Sequence, residues 1–250
     1  MLKFTQRALL ASIVLMSSTF AVIAAEGDPV NDEEMLRLLK LRLGTDQVEP
    51  ARETRAEGVY MTRFGNKFAY LIDGGRYVFI GEMVDLEMAQ NLTELSRRDL
   101  VVEELAKFSM DDVIVFPAKD EERAVLNVLT DTSCGYCQQL HKEVKYLQEA
   151  GISVRYYPYP RGGSRGPGYS DLRRVWCSED KLEAMSVAKR AKSGSLQEDG
   201  TCAEALAVDE GYLLGNRLGI NGTPALFAGN GATFPGYVPH QKLIPQLLNQ

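Results

Sequence analysis

Thr130-Asp131-Thr132-Ser133-Cys134-Gly135-Tyr136-Cys137 links an apolar run, Ala124 to Leu129, to a helical pattern that extends from Ser133 to Ala150 and is closed by Gly151. Ser133 has the chemistry of a helix N-cap, which places Cys134 in the first turn. Unpaired backbone N–H groups and the positive end of the helix dipole converge there and favour a thiolate. A thiol whose pKa is lowered in this way is a nucleophile at neutral pH. Cys137 falls within the same turn, close enough to attack a mixed disulfide formed at Cys134. Three other readings of this pair compete with redox catalysis. A zinc site needs two further ligands at matched spacing, and Cys177 and Cys202 stand isolated and far apart. A c-type haem site needs His after the second cysteine, where this chain has Gln138. A structural disulfide between Cys134 and Cys137 stays open, although the strand-to-helix junction favours catalysis.

Working outward, the second domain is expected over residues 109–250, in the order β-β-α-β, helical insertion, β-β-α. Its strands are Val113 to Phe116, Ala124 to Leu129, Ile152 to Tyr157, Ala225 to Ala228 and Ala232 to Phe234. Helical stretches occupy roughly Ser170 to Lys192 and Cys202 to Leu218, and a last helix follows Pro239. Gly222-Thr223-Pro224 immediately precedes a strand. A proline there cannot donate to the ladder, so it marks an edge, a bulge or a cis bond. Paired with the upstream dithiol helix, Thr223-Pro224 resembles the cis-proline loop that faces the dithiol in thioredoxin-like folds. Cys177 and Cys202, with 24 residues between them, are expected to form a structural disulfide in an oxidising compartment. Such a loop stabilises the fold by roughly 3 kcal/mol in the chain-entropy model. A second redox relay is the alternative.

Residues 1–25 carry Lys3 and Arg7, an apolar run from Ala8 to Phe20 and small residues around Ala24 and Ala25. That is the pattern of a cleavable secretory signal, with an uncleaved anchor as the alternative. Export would bring the cysteines into oxidising surroundings. Residues 26–85 form a first domain. An amphipathic helix runs from Asn31 to Leu43, and short strands at Gly58 to Phe64, Lys67 to Ile72 and Arg76 to Ile80 are separated by Gly65-Asn66 and Asp73-Gly74-Gly75. These are hairpin turns, because Gly, Asn and Asp tolerate positive φ. Phe68, Tyr70 and Ile72 alternate onto one face. Residues 86–108 read as a charged helix with a narrow apolar stripe, a bridge between domains rather than part of a core.

The 250 residues suffice for two modest domains. A composition of 45% hydrophobic and 25% charged residues excludes a disordered chain, a collagen-like fibre and a polytopic membrane protein. With 28 Lys and Arg against 34 Asp and Glu, the net charge is −6, a poor basis for gripping nucleic acid. The loop from Pro158 to Arg174, with Arg161, Arg165, Arg173 and Arg174, is accordingly read as solvated.

The whole chain after the signal resembles the DsbC/DsbG family of periplasmic disulfide isomerases. The resemblance rests on Gly81-Glu82-Met83-Val84-Asp85, Thr130-Asp131, the dithiol, His141, Arg155-Tyr156, Pro160-Arg161, Trp176-Cys177, Cys202, Gly222-Thr223-Pro224 and Pro235-Gly236-Tyr237. Gly135-Tyr136 between the cysteines is similar to DsbC, where DsbG has Pro-Tyr. The resemblance implies an α+β, cystatin-like N-terminal dimerisation domain, a helical linker, and an α/β thioredoxin-like domain with a helical insertion. It further implies a V-shaped homodimer, misfolded exported proteins as clients, a membrane reductase of the DsbD type as partner, and no cofactor or metal. Cys134 and Cys137 are then the catalytic pair, with Thr223, Pro224, Gly135 and Tyr136 at the client. Thioredoxin itself has a buried acid six residues before its first active cysteine. Here Val128 stands there, so no side chain at that place takes the proton of Cys137. Asp131 and His141 are near in sequence, but a lone helical His is most often a surface residue, and neither is assigned to catalysis. A DsbG-like reductase of sulfenylated cysteines and a holdase chaperone with secondary redox activity stay open as alternatives.

Overall fold

A computed structural model describes residues 33–190 and 196–250. The signal segment 1–25 and the expected start of the first helix at Asn31 lie outside the described residues, as does Lys192.

Helix α1 (Glu33–Leu43) buries Leu39 and ends where Gly44 turns left-handed, with φ 68°. It packs on a four-stranded antiparallel sheet in the order β1-β2-β3-β4, formed by Arg52–Glu53, Val59–Phe64, Lys67–Ile72 and Tyr77–Ile80. Asp73, Gly74 and Gly75 all take positive φ between β3 and β4. At Gly75 the φ of 89° is one that L side chains rarely adopt, so the turn itself calls for glycine. Phe68, Tyr70 and Ile72 share one face of β3 as expected, and Ala69 and Leu71 on the opposite face are buried as well. Leu71 joins Leu39 and Ala51 beneath α1, while the Tyr70 hydroxyl bonds Thr93 on the following helix. An inner strand covered by two helices reads apolar throughout. At the sheet's outer edge, by contrast, Tyr77, Val78, Phe79 and Ile80 are all exposed.

The linker helix starts later than its charge pattern suggests. A short hairpin, β5 (Val84–Asp85) and β6 (Gln90–Asn91), comes first. Asp85 Oδ1 accepts from the N–H groups of Glu87 and Met88 and holds those residues in a turn. Helix α2 (Leu92–Ala106) is capped by Asn91, whose Oδ1 accepts from Glu94 N at 2.9 Å. Its far end is not a solvent bridge either. Val101, Leu105 and Phe108 are buried in the larger core, with Phe108 edge-on to Tyr157 at 5.4 Å. Glu104 on the same helix is 1% exposed and receives Lys107 at 2.8 Å, Arg217 at 2.7 Å and, more distantly, Arg63 of β2 at 3.9 Å. One carboxylate thus ties the linker to the sheets' flanking elements on both sides.

The second sheet has the order β11-β10-β8-β9-β7, built from Ile114–Phe116 (β7), Ala124–Thr130 (β8), Ile152–Pro158 (β9), Ala225–Ala228 (β10) and Thr233–Phe234 (β11). Only β8 and β9 run parallel, as the crossover helix α3 (Gly135–Glu149) between them requires. The insertion holds α4 (Tyr169–Cys177), α5 (Lys181–Arg190) and α6 (Leu206–Arg217), and α7 (His240–Leu248) closes the chain. The stretch expected as one helix from Ser170 is two. Ser178 leaves helical backbone, and Asp180 Oδ1 accepts from Glu183 N to start α5. Cys177 and Cys202 are joined by a disulfide, with Cα atoms 5.6 Å apart, closing the insertion on itself.

A dithiol site at the start of α3

The end of β8 delivers Thr130 and Asp131 to the rim of the sheet, and the chain turns there into α3. Cys134, not Ser133, is the N-cap: its φ and ψ are −87° and 118°, and its sulfur accepts from Cys137 N at 3.4 Å. Ser133 is drawn away because its hydroxyl and N–H both donate to Asp131 Oδ1, at 2.7 and 2.8 Å. The cap position places the Cys134 sulfur at the open end of the helix, where the N–H groups lack partners. On its other side Cys134 Sγ donates to the Thr223 carbonyl at 3.2 Å. The Thr223–Pro224 bond is cis, which was one of three possibilities left by the sequence. β10 lies between two neighbours, so the proline marks no edge. Thr223 is half-buried and Pro224 buried.

Cys134 and Cys137 are both free thiols. Cys134 exposes 3% of its surface and Cys137 none, so the first cysteine has only a narrow opening to solvent. Its pKa is lowered to about 5, chiefly by the hydrogen bond from the Cys137 thiol. Burial opposes this, while the Thr223 side chain, the Cys137 N–H and the Arg161 guanidinium assist. Cys137 is pushed in the opposite direction, first by burial and then by the hydrogen bond to Cys134. The two sulfurs therefore divide into a ready thiolate and a held thiol.

The surroundings include groups that the sequence did not single out. Asp131 is fully buried. Burial disfavours its charge, yet hydrogen bonds from the backbone and side chain of Arg161 and from Ser133 hold it below the usual carboxylate range. A Cβ at Gly168 would fall 2.0 Å from Asp131 Oδ1, so only glycine lets the loop pass. Arg161 is consequently part of the site's electrostatics and not a merely solvated loop residue, and the expected loop becomes α4 at Tyr169. Arg173 is likewise engaged, with Asp209 at 3.3 Å. Val128 is wholly buried and apolar, as expected. His141 is not a surface residue: its ring nitrogens meet Tyr156 Oη and Ser186 Oγ, each at 3.1 Å. Burial first, then Lys189 and Arg190, lower its pKa to about 4, so it is neutral at pH 7. Gly135 and Tyr136 face outward, and Tyr136, 66% exposed, stacks on Tyr237 at 6.0 Å.

Comparison with known proteins places both parts of the chain. A family model described as a thioredoxin-like domain matches residues 111–250, and one described as a disulfide bond isomerase protein N-terminal domain matches residues 27–94. The thiol:disulfide interchange protein DsbC of Salmonella typhimurium is 31% identical over 220 residues, covering 87% of this chain and 89% of that protein. DsbC of Dickeya dadantii is 28% identical over 235 residues, covering 94% of each, and DsbC of Escherichia coli K12 is 29% identical over 206 residues, covering 82% of each. The capped dithiol thus sits in a chain whose two parts both match one kind of redox enzyme, and the chain belongs to the DsbC family of thiol:disulfide interchange proteins.

Proposed function

We propose that the protein is a periplasmic homodimer that isomerises or reduces wrong disulfides in exported proteins through the reduced Cys134–Cys137 pair. The observation that carries this reading is the Cys134 sulfur at the N-cap of α3, 3.4 Å from Cys137 N and 3.2 Å from the carbonyl of Thr223 in the cis Thr223–Pro224 loop. The Cys134 thiolate attacks a client disulfide, forming one S–S bond and releasing one client thiolate. A client thiolate then displaces Cys134, leaving a rearranged client and no net redox change. Alternatively Cys137 attacks Cys134, and the client departs reduced while the dithiol becomes a disulfide. A membrane reductase of the DsbD type then restores the dithiol. Two sulfurs carry the electrons throughout, so the cycle calls for no metal or organic cofactor. Thr223 and Pro224 offer backbone to the client segment beside Cys134, and Gly135 with the exposed Tyr136 ring forms the apolar floor it crosses.

The low pKa serves departure more than attack. At pH 7 a thiol titrating near 5 is almost wholly ionised, whereas one at 9.0 is ionised to about 1%. The weaker nucleophilicity of the more stable thiolate cancels most of that roughly 100-fold gain. As a leaving group Cys134 keeps its advantage, which is what release of an isomerised client demands.

Equilibration with glutathione tests the reading. The stabilised Cys134 thiolate favours the dithiol, so Cys134–Cys137 should be reduced in glutathione buffers that leave Cys177–Cys202 intact. Counting alkylated cysteines by mass should give two free thiols across a broad range of buffers. Release of all four together, or a Cys134–Cys137 disulfide that resists every buffer, would contradict the assignment.

A further inference from the structure

The resolving step needs Cys137 as a thiolate, yet its burial holds the proton on sulfur, and Val128 offers no base. Asp131 is buried close by but is held as a carboxylate by Arg161 and Ser133, which leaves a second buried ionisable group on α5. Lys189 on α5 is 2% exposed, and its Nζ donates to Thr130 Oγ1 at 2.6 Å and to the Asp131 carbonyl at 2.8 Å. Both acceptors are neutral. Long charged side chains are almost never fully buried unless paired, so an amine placed here on neutral oxygens calls for a reason. The same carbonyl joins it to the dithiol, since the Asp131 carbonyl also accepts from Cys134 N at 3.2 Å; the Asp131 backbone and the charge of Lys189 both favour a thiolate at Cys137.

We propose that Lys189 is the proton acceptor of Cys137 in the resolving step, its amine held on the Thr130–Asp131 segment that leads into the dithiol. This rests on the interchange reading above. Cys137 passes its S–H proton to the Lys189 amine, and the resulting thiolate attacks Cys134 Sγ. The new Cys134–Cys137 bond forms as the Cys134–client bond breaks, and the client sulfur leaves with the electron pair and takes a proton from solvent. Lys189 afterwards loses its proton to solvent. The dithiol is oxidised by two electrons and the client disulfide is reduced by two.

The surroundings have the right polarity for this exchange. Burial disfavours the ammonium and lowers its pKa, as it does for other buried lysines. A thiolate at Cys137, with Asp131 and Cys134, favours the ammonium again, and Arg161 opposes it. α3 also presents His141, which is neutral at pH 7, and β9 presents the Tyr156 ring, 5.9 Å from Nζ. α4 carries Asp171, Arg173 and Arg174, engaged with one another or with Asp209, and β7 carries no titratable side chain. Burial thus pulls the amine toward its neutral form and a thiolate at Cys137 pulls it back toward the ammonium, the pairing that a proton transfer between them requires.

Single-turnover kinetics on the full chain separate the two steps. A peptide disulfide with a chromophoric leaving thiol reports attack by Cys134, and appearance of the second peptide thiol reports resolution by Cys137. In Lys189→Gln, whose amide still donates to Thr130 and Asp131, attack should change less than about threefold. Resolution at pH 7 should fall about 100-fold, the low end for loss of a general base, and should recover steadily as pH rises. Lys189→Arg keeps the charge but accepts no proton, so it should be slow as well. Either folded variant decides the matter: unchanged resolution in Lys189→Gln, or full rescue in Lys189→Arg, would overturn the proposal. In the unaltered protein, resolution should level off below the ordinary thiol range of about pH 8.5; a rate still climbing tenfold per pH unit there would overturn it too. Absence of the attack phase in the unaltered protein would instead count against the interchange reading.

Discussion

With Cys134 replaced by Ser, the protein is expected to lose disulfide interchange by on the order of 10³-fold or more, the usual consequence of removing a covalent nucleophile. A serine hydroxyl is not ionised near neutrality, and the N–H groups at the start of α3 cannot compensate. Cys137→Ser should behave differently. Attack survives, because the helix end and Arg161 remain beside Cys134, but mixed disulfides with clients accumulate for want of a resolving thiol. Client thiols can still displace Cys134, so part of the isomerisation persists while net reduction stops. A scrambled-ribonuclease refolding assay alongside an insulin reduction assay distinguishes the two variants. Equal loss of both activities in both variants would contradict the division of labour between the sulfurs. The pH dependence has a definite sign. A folded-state thiol pKa depressed from 9.0 to about 5 gives the reduced fold stability that is fully present above the unfolded value. It is lost as pH falls through 5, so the preference for the dithiol weakens in acid.

The second large effect concerns β4. Tyr77, Val78, Phe79 and Ile80 are 47%, 40%, 58% and 62% exposed, an apolar edge strand that a soluble protein ordinarily protects. If pairing of two such edges makes the dimer, Phe79→Lys with Ile80→Lys should yield a folded monomer by sedimentation velocity. The loss of the second dithiol that a dimer would hold near the same client should lower isomerisation about 10- to 100-fold, the scale of a lost effective-concentration advantage. Reduction of small peptide disulfides should stay within about twofold. A dimer that persists in the double variant, or a monomer that isomerises at full rate, would show that β4 is not the dimer contact. Substitution suits this test better than removal of residues 1–112, because Val101, Leu105 and Phe108 belong to the core of the catalytic domain. A chain starting at Val113 would lose that packing together with the first domain.

What could be read from the residues alone was the part of the design that is local. Hairpins announced by Gly65-Asn66 and Asp73-Gly74-Gly75, and the strand-to-helix junction at Cys134, depend on neighbours along the chain. The family resemblance was carried by short motifs of the same kind. Features that depend on distant segments were harder to see. The start of α2 was set by Asn91 and the Asp85 turn against a charge pattern that looked helical from Leu86. Glu104 looked like one more exposed charge until Arg217 came to meet it from α6. Asp131, Arg161 and Lys189 are separated by 28 or more positions and converge only because β8, the loop after β9 and α5 end at one place. No periodicity marks a lysine that turns inward. The one available signal was negative: Val128 left the proton of Cys137 without a destination.

The most direct test of the account is the rate of alkylation of the reduced protein by iodoacetamide between pH 3.5 and 9, with the labelled cysteine identified by peptide mapping. Labelling is expected on Cys134, with a half-maximal rate near pH 5 and a plateau through neutrality, while Cys137 stays unmodified until pH is well above that of an ordinary thiol. Preferential labelling of Cys137, or a Cys134 rate that rises without a plateau through pH 8, would contradict it.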